Sequence, residues 1–140
     1  MSFLLDASSV IEVIRTYDEE NALCLLSANC ILDLTKYEVG NALWKELVLT
    51  KAIGDEEFKE FFDLLVSILL RTKVLILEPE NVPEIAEIAA KERITFYDAS
   101  YITLAKMRNL TLITEDEQLA RTASKHIETA TTEGLERLRR

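Results

Sequence analysis

Short apolar runs and helical periodicity alternate along the whole chain. Ser2-Phe3-Leu4-Leu5 is closed by Asp6, and Val10, Ile11, Val13 and Ile14 then recur at helical spacing, so a strand gives way to a helix at an acid. Asp18 to Ser27 predicts a second short helix. Cys30-Ile31-Leu32-Asp33-Leu34 is the next apolar run, and Thr35-Lys36-Tyr37-Glu38 has the form of a capping box that opens a helix through about Lys51, which puts Glu38 in its first turn. Asp55 to Arg71 is strongly amphipathic, with Phe58, Phe61, Phe62, Leu65 and Leu69 on one face and Leu64 and Ile68 towards the other. Val74 to Leu77 predicts a strand, and Pro83 with Ile85, Ile88 and Ala89 predicts a helix that stops near Glu92. The run Ile94-Thr95-Phe96-Tyr97 leads into Asp98 and a helix over Asp98 to Ala105 so apolar on every side that burial is expected. Leu110 to Thr114 predicts a strand, Glu115-Asp116-Glu117 a helix start with Thr114 and Glu117 spaced for reciprocal capping, and Ile127-Glu128-Thr129 a short final strand. The order β-α-α-β-α-α-β-α-α-β-α-β is that of an α/β fold.

Four acids, Asp6, Glu38, Asp98 and Asp116, stand where an apolar run meets helix-start chemistry. In an open parallel sheet the residues just past the strands collect along one edge, so Asp6, Asp98 and Asp116 converge despite their separation in the chain. Mutual repulsion opposes such a cluster, and a hard divalent cation assisted by helix N-termini compensates it. Taken singly, an acid in a first helical turn is also an ordinary cap, and Glu38 and Asp116 carry that reading as well. Asp6 and Asp98 follow very apolar segments, where an unpaired charge is costly.

With 140 residues, 49% hydrophobic and 29% charged, and no linker, repeat or low-complexity segment, a single domain over residues 1–140 is expected. No basic leader precedes the first apolar stretch, and the longest apolar stretch, Leu64 to Leu70, is too short for a membrane, so a soluble cytoplasmic protein is expected. Cys24 and Cys30 make no metal or redox pattern and are expected to be buried thiols. The single histidine, His126, excludes a two-histidine ribonuclease mechanism, and the shortage of Cys and His excludes a structural zinc site. Gly40, Gly54 and Gly134 lie too far apart for a phosphate-binding loop or a dinucleotide fingerprint. Metal-assisted hydrolysis survives this elimination. A net charge of −9 has the wrong global sign for binding nucleic acid, although the four acids are part of that excess. A bound cation inverts the field locally, with Arg15, Lys36, Arg121 or Lys125 to guide a phosphate backbone.

The stretches Leu4-Leu5-Asp6-Ala7-Ser8-Ser9, Thr35 to Trp44, Phe96-Tyr97-Asp98-Ala99-Ser100-Tyr101 and Leu112-Ile113-Thr114-Glu115-Asp116 together resemble the PIN-domain nucleases, and among them the short VapC-type toxins of toxin–antitoxin pairs. The likeness covers nearly the whole chain, and its specificity lies in the ordered set. It implies a PIN-like fold with a central parallel sheet of four to five short strands flanked by helices. It further implies a metal-dependent endoribonuclease in which Asp6, Glu38, Asp98 and Asp116 hold Mg²⁺ or Mn²⁺, Ser8 and Thr114 give hydroxyl support, and the products carry a 5′-phosphate. An RNA substrate, a homodimer and a small antitoxin partner belong to the same implication. Two other readings are a catalytically idle PIN-fold scaffold and a Mg²⁺-binding phosphoacceptor module. The phosphoacceptor needs adjacent acids after the first strand and a lysine after a late one, and neither is present.

Overall fold

The first two strands are buried along their whole length rather than on alternate residues, which marks a parallel sheet covered on both faces. Phe3, Leu4 and Leu5 of β1 (Phe3–Leu5) are all buried, as are the three residues of β2 (Cys30–Leu32). The computed structural model describes residues 2–138, and among them five strands form one sheet in the order β3-β2-β1-β4-β5, every neighbouring pair parallel. The remaining strands are β3 (Lys73–Leu75), β4 (Thr111–Ile113) and β5 (Thr129–Ala130). Between them run α1 (Ala7–Thr16), α2 (Glu19–Ser27), α3 (Asp33–Val48), α4 (Asp55–Arg71), α5 (Val82–Glu92), α6 (Phe96–Met107) and α7 (Glu117–Ala123), and α8 (Thr132–Leu138) follows the last strand. No helix among the described residues is long and apolar enough to cross a membrane.

Successive strand residues face opposite sides of the sheet, so each strand feeds two cores. Phe3, Leu5 and Ile31 pack with Val13, Leu25, Leu43 and Ile68 from α1 to α4, while Leu4, Leu32 and Leu112 pack with Ile85, Ile102 and Leu119 from α5 to α7. Each fully buried leucine or isoleucine stabilises by ~1.5–3 kcal/mol. Strand order reverses between β1 and β4, since β2 and β3 extend to one side of β1 and β4 and β5 to the other. That reversal leaves a crevice at the carboxyl ends of β1 and β4.

The structure departs from the sequence expectations at definite places. Asp98, grouped above with the residues just past the strands, follows no strand. α5 closes with Arg93 in the left-handed region at φ 56°, Ile94 N–H bonds back to Ala89, and Thr95 already caps α6, so α5 and α6 form a hairpin with no residues to spare for the sheet. Asp98 therefore reaches the sheet edge from a helix start. β2 stops at Leu32 because α3 begins at Asp33, which moves Glu38 into the second turn. Thr35 does not pair with Glu38 in a capping box; its hydroxyl accepts from Leu32 N–H at 3.1 Å. Ile68 is fully buried, so it belongs to the core face of α4, and the outward face carries Val66 and Leu70. Cys24 is exposed on α2, whereas Cys30 is buried in β2. The final strand lies at Thr129–Ala130, slightly later than expected, and α8 was not expected at all.

Candidate active site

Asp6 sits where β1 ends, and the local chemistry of a helix start holds it there. It is the N-cap of α1: its Oδ1 accepts from Ser9 N–H at 2.9 Å, Ser8 Oγ at 2.7 Å and Ser9 Oγ at 3.1 Å. Its Oδ2 accepts from Thr114 Oγ1 at 2.6 Å, a bond from the end of β4 across the crevice. The two strand ends are tied further by Asp6 N–H to Ile113 O at 3.2 Å and Ser9 Oγ to the same carbonyl at 2.8 Å. Asp6 is only 5% exposed, and burial pushes its carboxyl above the ordinary range while these hydrogen bonds pull it back.

Thr114 and Ser8 carry the connection onward. Thr114 Oγ1 accepts from Asp116 N–H at 3.0 Å, and Ser8 Oγ accepts from Glu115 N–H at 2.9 Å, so the turn after β4 is held against the start of α1. Asp116 is the exposed N-cap of α7, its Oδ1 accepting from Gln118 N–H and Leu119 N–H. The expected Thr114–Glu117 capping pair gives way to this arrangement because the Thr114 hydroxyl is already committed to Asp6.

Glu38 and Asp98 approach from the other side, on α3 and α6. Burial raises the Glu38 carboxyl, and the charges of Asp98 and Asp6 add to the rise against an opposing hydrogen bond from Tyr101. Asp98 is raised by burial first and then by Asp116 and Asp6, with Thr95 opposing. Asp98 thus lies in the field of Asp6 and Asp116, and Glu38 in that of Asp98 and Asp6, although the four come from two strand ends and two helices.

Residues that sequence reasoning passed over hold this set in place. Tyr101, 1% exposed, donates from its hydroxyl to Glu38 Oε1 at 2.7 Å and shares a 2.7 Å bond with Thr35 Oγ1. Because Tyr101 gives its proton to Glu38, Thr35 gives its own to Tyr101 and accepts from Leu32 N–H, a directional relay from β2 to Glu38. The signal was a polar ring one helical turn after Asp98 in an otherwise apolar helix; Ser9, one turn after Asp6, is the corresponding signal at α1. Tyr101→Phe leaves the Thr35 hydroxyl and Glu38 each one partner short in a buried setting, and the expected cost is about 1–3 kcal/mol, measurable by urea unfolding. An unchanged unfolding midpoint counts against the relay.

The donor set is all oxygen: four carboxylates, with Ser8 and Thr114 hydroxyls behind Asp6. That chemistry suits a hard divalent cation. Among the described residues no group of three or more His, Cys, Asp or Glu side chains has a geometry that could itself enclose a metal ion. Mg²⁺ keeps several of its waters and takes one or two carboxylates directly, so the set fits that mode of binding rather than an all-protein cage. Of the basic residues expected to guide a phosphate backbone, Arg15 pairs with Glu46, Lys36 with Asp33 and Lys125 with Glu92, while Arg121 is exposed on α7, the helix that Asp116 opens.

Comparison with known proteins gives concordant results. The family model described as PIN domain matches residues 3–125. Exonuclease VapC9 of Pyrobaculum aerophilum is 35% identical over 119 residues, spanning 85% of this chain and 84% of that protein. Ribonuclease VapC3 of the same organism is 28% identical over 127 residues, with 86% and 93% covered. Among solved structures, PAE2754 from Pyrobaculum aerophilum superposes with a TM-score of 0.79 at 33% identity, over 99% of this chain and 90% of that one. The DNA-bound VapBC structure from Salmonella typhimurium shares the fold, with a TM-score of 0.68 at 18% identity over 94% and 98%.

Proposed function

The chain belongs to the PIN-domain family, and from that premise we propose that it is a metal-dependent ribonuclease that hydrolyses phosphodiester bonds, the toxin of a toxin–antitoxin pair. The observation that carries this reading is the common field of Asp6, Glu38, Asp98 and Asp116 around the β1/β4 crevice, with hydroxyl braces behind Asp6. Asp6, Glu38, Asp98 and Asp116 hold Mg²⁺ or Mn²⁺ directly or through water. Such an ion, when bound, polarises the phosphate and lowers the pKa of an attacking water.

Each protein group then has a limited task. Ser8 and Thr114 donate to opposite oxygens of Asp6 and fix its plane; Oδ1 is taken up by Ser8 and the Ser9 N–H, whereas Oδ2 accepts from Thr114 alone and keeps a lone pair for the cation. Ser8 is a brace and not a nucleophile, because its proton is directed at a carboxylate that itself serves the cation. Tyr101 keeps one oxygen of Glu38 occupied and so fixes the rotamer of the other. The names of the relatives support nuclease chemistry, and the fold shared with a VapBC complex supports an antitoxin partner; a homodimer acting in the cytoplasm belongs to the same proposal. On α4 the exposed side chains Val66 and Leu70 offer apolar surface for such a partner.

Purified protein is expected to cut single-stranded or structured RNA in Mg²⁺ or Mn²⁺ and to stop on chelation. Cleavage that continues in excess EDTA sinks the metal-dependent scheme. A circular RNA separates internal from terminal cutting: the endoribonuclease reading expects the circle to be opened, and an intact circle beside a degraded linear RNA assigns exonuclease action.

A further inference from the structure

A second concavity lies on the same edge of the sheet as the acids. Leu32 and Leu75, the last residues of β2 and β3, floor a 320 Å³ cavity whose walls include Tyr37 at the start of α3, Ile76 after β3, and Phe96 and Tyr97 in the first turn of α6. Three of the wall residues are rings, and they are open to solvent: Tyr37 is 65% and Tyr97 58% exposed. Tyr37 directly precedes Glu38 and Tyr97 directly precedes Asp98, so the two helix starts that place acids in the crevice also place rings in the neighbouring cavity. A ligand that fills both must carry a flat apolar ring beside a phosphate. An unpaired nucleotide has that constitution.

Charge favours the same occupant. The chain carries a net −9, and Lys36, which lies 5.2 Å from the Tyr37 ring centroid, is paired with Asp33. Counterion release therefore contributes little to RNA affinity, and stacking, which needs no net positive charge, supplies it. Bases splayed from single strands stack on aromatic side chains, whereas a duplex keeps its bases inside. We propose that the cavity at the ends of β2 and β3 is a nucleobase site that seats an unpaired base of single-stranded RNA, with Tyr37 and Tyr97 as stacking rings and the adjoining phosphate in the acidic crevice. This rests on the ribonuclease reading for the identity of the polymer.

The test is binding of a short single-stranded RNA, followed by fluorescence anisotropy with Ca²⁺ in place of Mg²⁺ or Mn²⁺, which compensates the acids so that the phosphate is not repelled, together with KM for its cleavage in Mn²⁺. Tyr97→Ala and Tyr37→Ala are each expected to weaken binding and raise KM by between about 5- and 150-fold, with Tyr97→Phe close to the parent protein. One abasic position in the RNA should cost the parent protein a similar factor and cost Tyr97→Ala little more. Unchanged affinity and KM in both alanine variants overturn the proposal. So does a loss that runs in step with conversion of a dimer to a monomer on sedimentation, which assigns the rings to a second copy of the chain. A protein that binds RNA through these rings and cuts none keeps the nucleobase site and removes the nuclease reading; one that cuts RNA equally well without the rings does the reverse.

Discussion

Asp98→Asn is expected to lose RNA cleavage by more than about a hundredfold, the upper range for removing a supporting partner of a metal ligand, while the protein stays folded. The exchange is nearly isosteric, and α6 does not depend on the carboxylate for its start, because Thr95 caps the Asp98 N–H at 3.1 Å. Stability should move in the opposite direction to activity. Burial and the charges of Asp116 and Asp6 hold the Asp98 carboxyl above its ordinary 3.8, so over the interval between the two values the native state binds more protons than the unfolded chain. Its unfavourable contribution is complete above the raised pKa and fades as pH falls towards 3.8. The Asn variant should accordingly melt above the parent at pH 7 and lose that advantage near pH 4. An active Asn variant removes Asp98 from the chemistry, and one that melts lower at pH 7 removes the repulsion argument.

Saturating Mn²⁺ is expected to stabilise the protein by about 2.7 kcal/mol at one hundred times its dissociation constant, provided that the ion binds the native state alone. Asp6, Glu38 and Asp98 are each raised by burial, and the latter two also by neighbouring acids, so the metal-free site holds charge at a cost that a cation relieves. Asp98→Asn should show both a higher starting melting temperature and a smaller Mn²⁺ increment. Scanning calorimetry decides it. A parent protein whose melting temperature is indifferent to Mn²⁺, at concentrations well above those that support cleavage, points to four separate helix caps.

Most of the fold was legible because its signals are local. The all-apolar runs at Phe3 and Cys30, the helical spacing from Val10 to Ile14 and the punctuation at Pro83 each depend on a few adjacent residues, and the structure has elements there. Asp98 was grouped with the strand-end acids because a short, largely apolar run such as Ile94-Thr95-Phe96-Tyr97 suits a strand or a helix turn equally well. Only the left-handed turn at Arg93, a residue with no glycine to advertise it, decides between them. At the candidate site the acids stood out by their junctions. Their supports did not: the bonds from Thr114 to Asp6 and from Tyr101 to Glu38 join residues far apart in the chain, and no spacing rule reaches across such gaps. Thr114 could be read as a cap for Glu117 because local geometry permits it, and only the tertiary partner shows which bond the hydroxyl makes.

The placement of β1 between β2 and β4 also fixes when in the life of the chain the crevice can exist. Asp6, Glu38 and Asp98 all leave the ribosome before Thr111–Ile113, the strand that makes the second wall and brings Thr114 to Asp6. A nascent chain therefore carries three of its acids before the crevice that gathers them is complete. Closure waits for that strand, and it joins β1 to a strand more than a hundred residues later, a long-range pairing of the kind that folds slowly. The interval between translation and activity is written into strand order, and any partner that must restrain the finished enzyme has that interval in which to arrive.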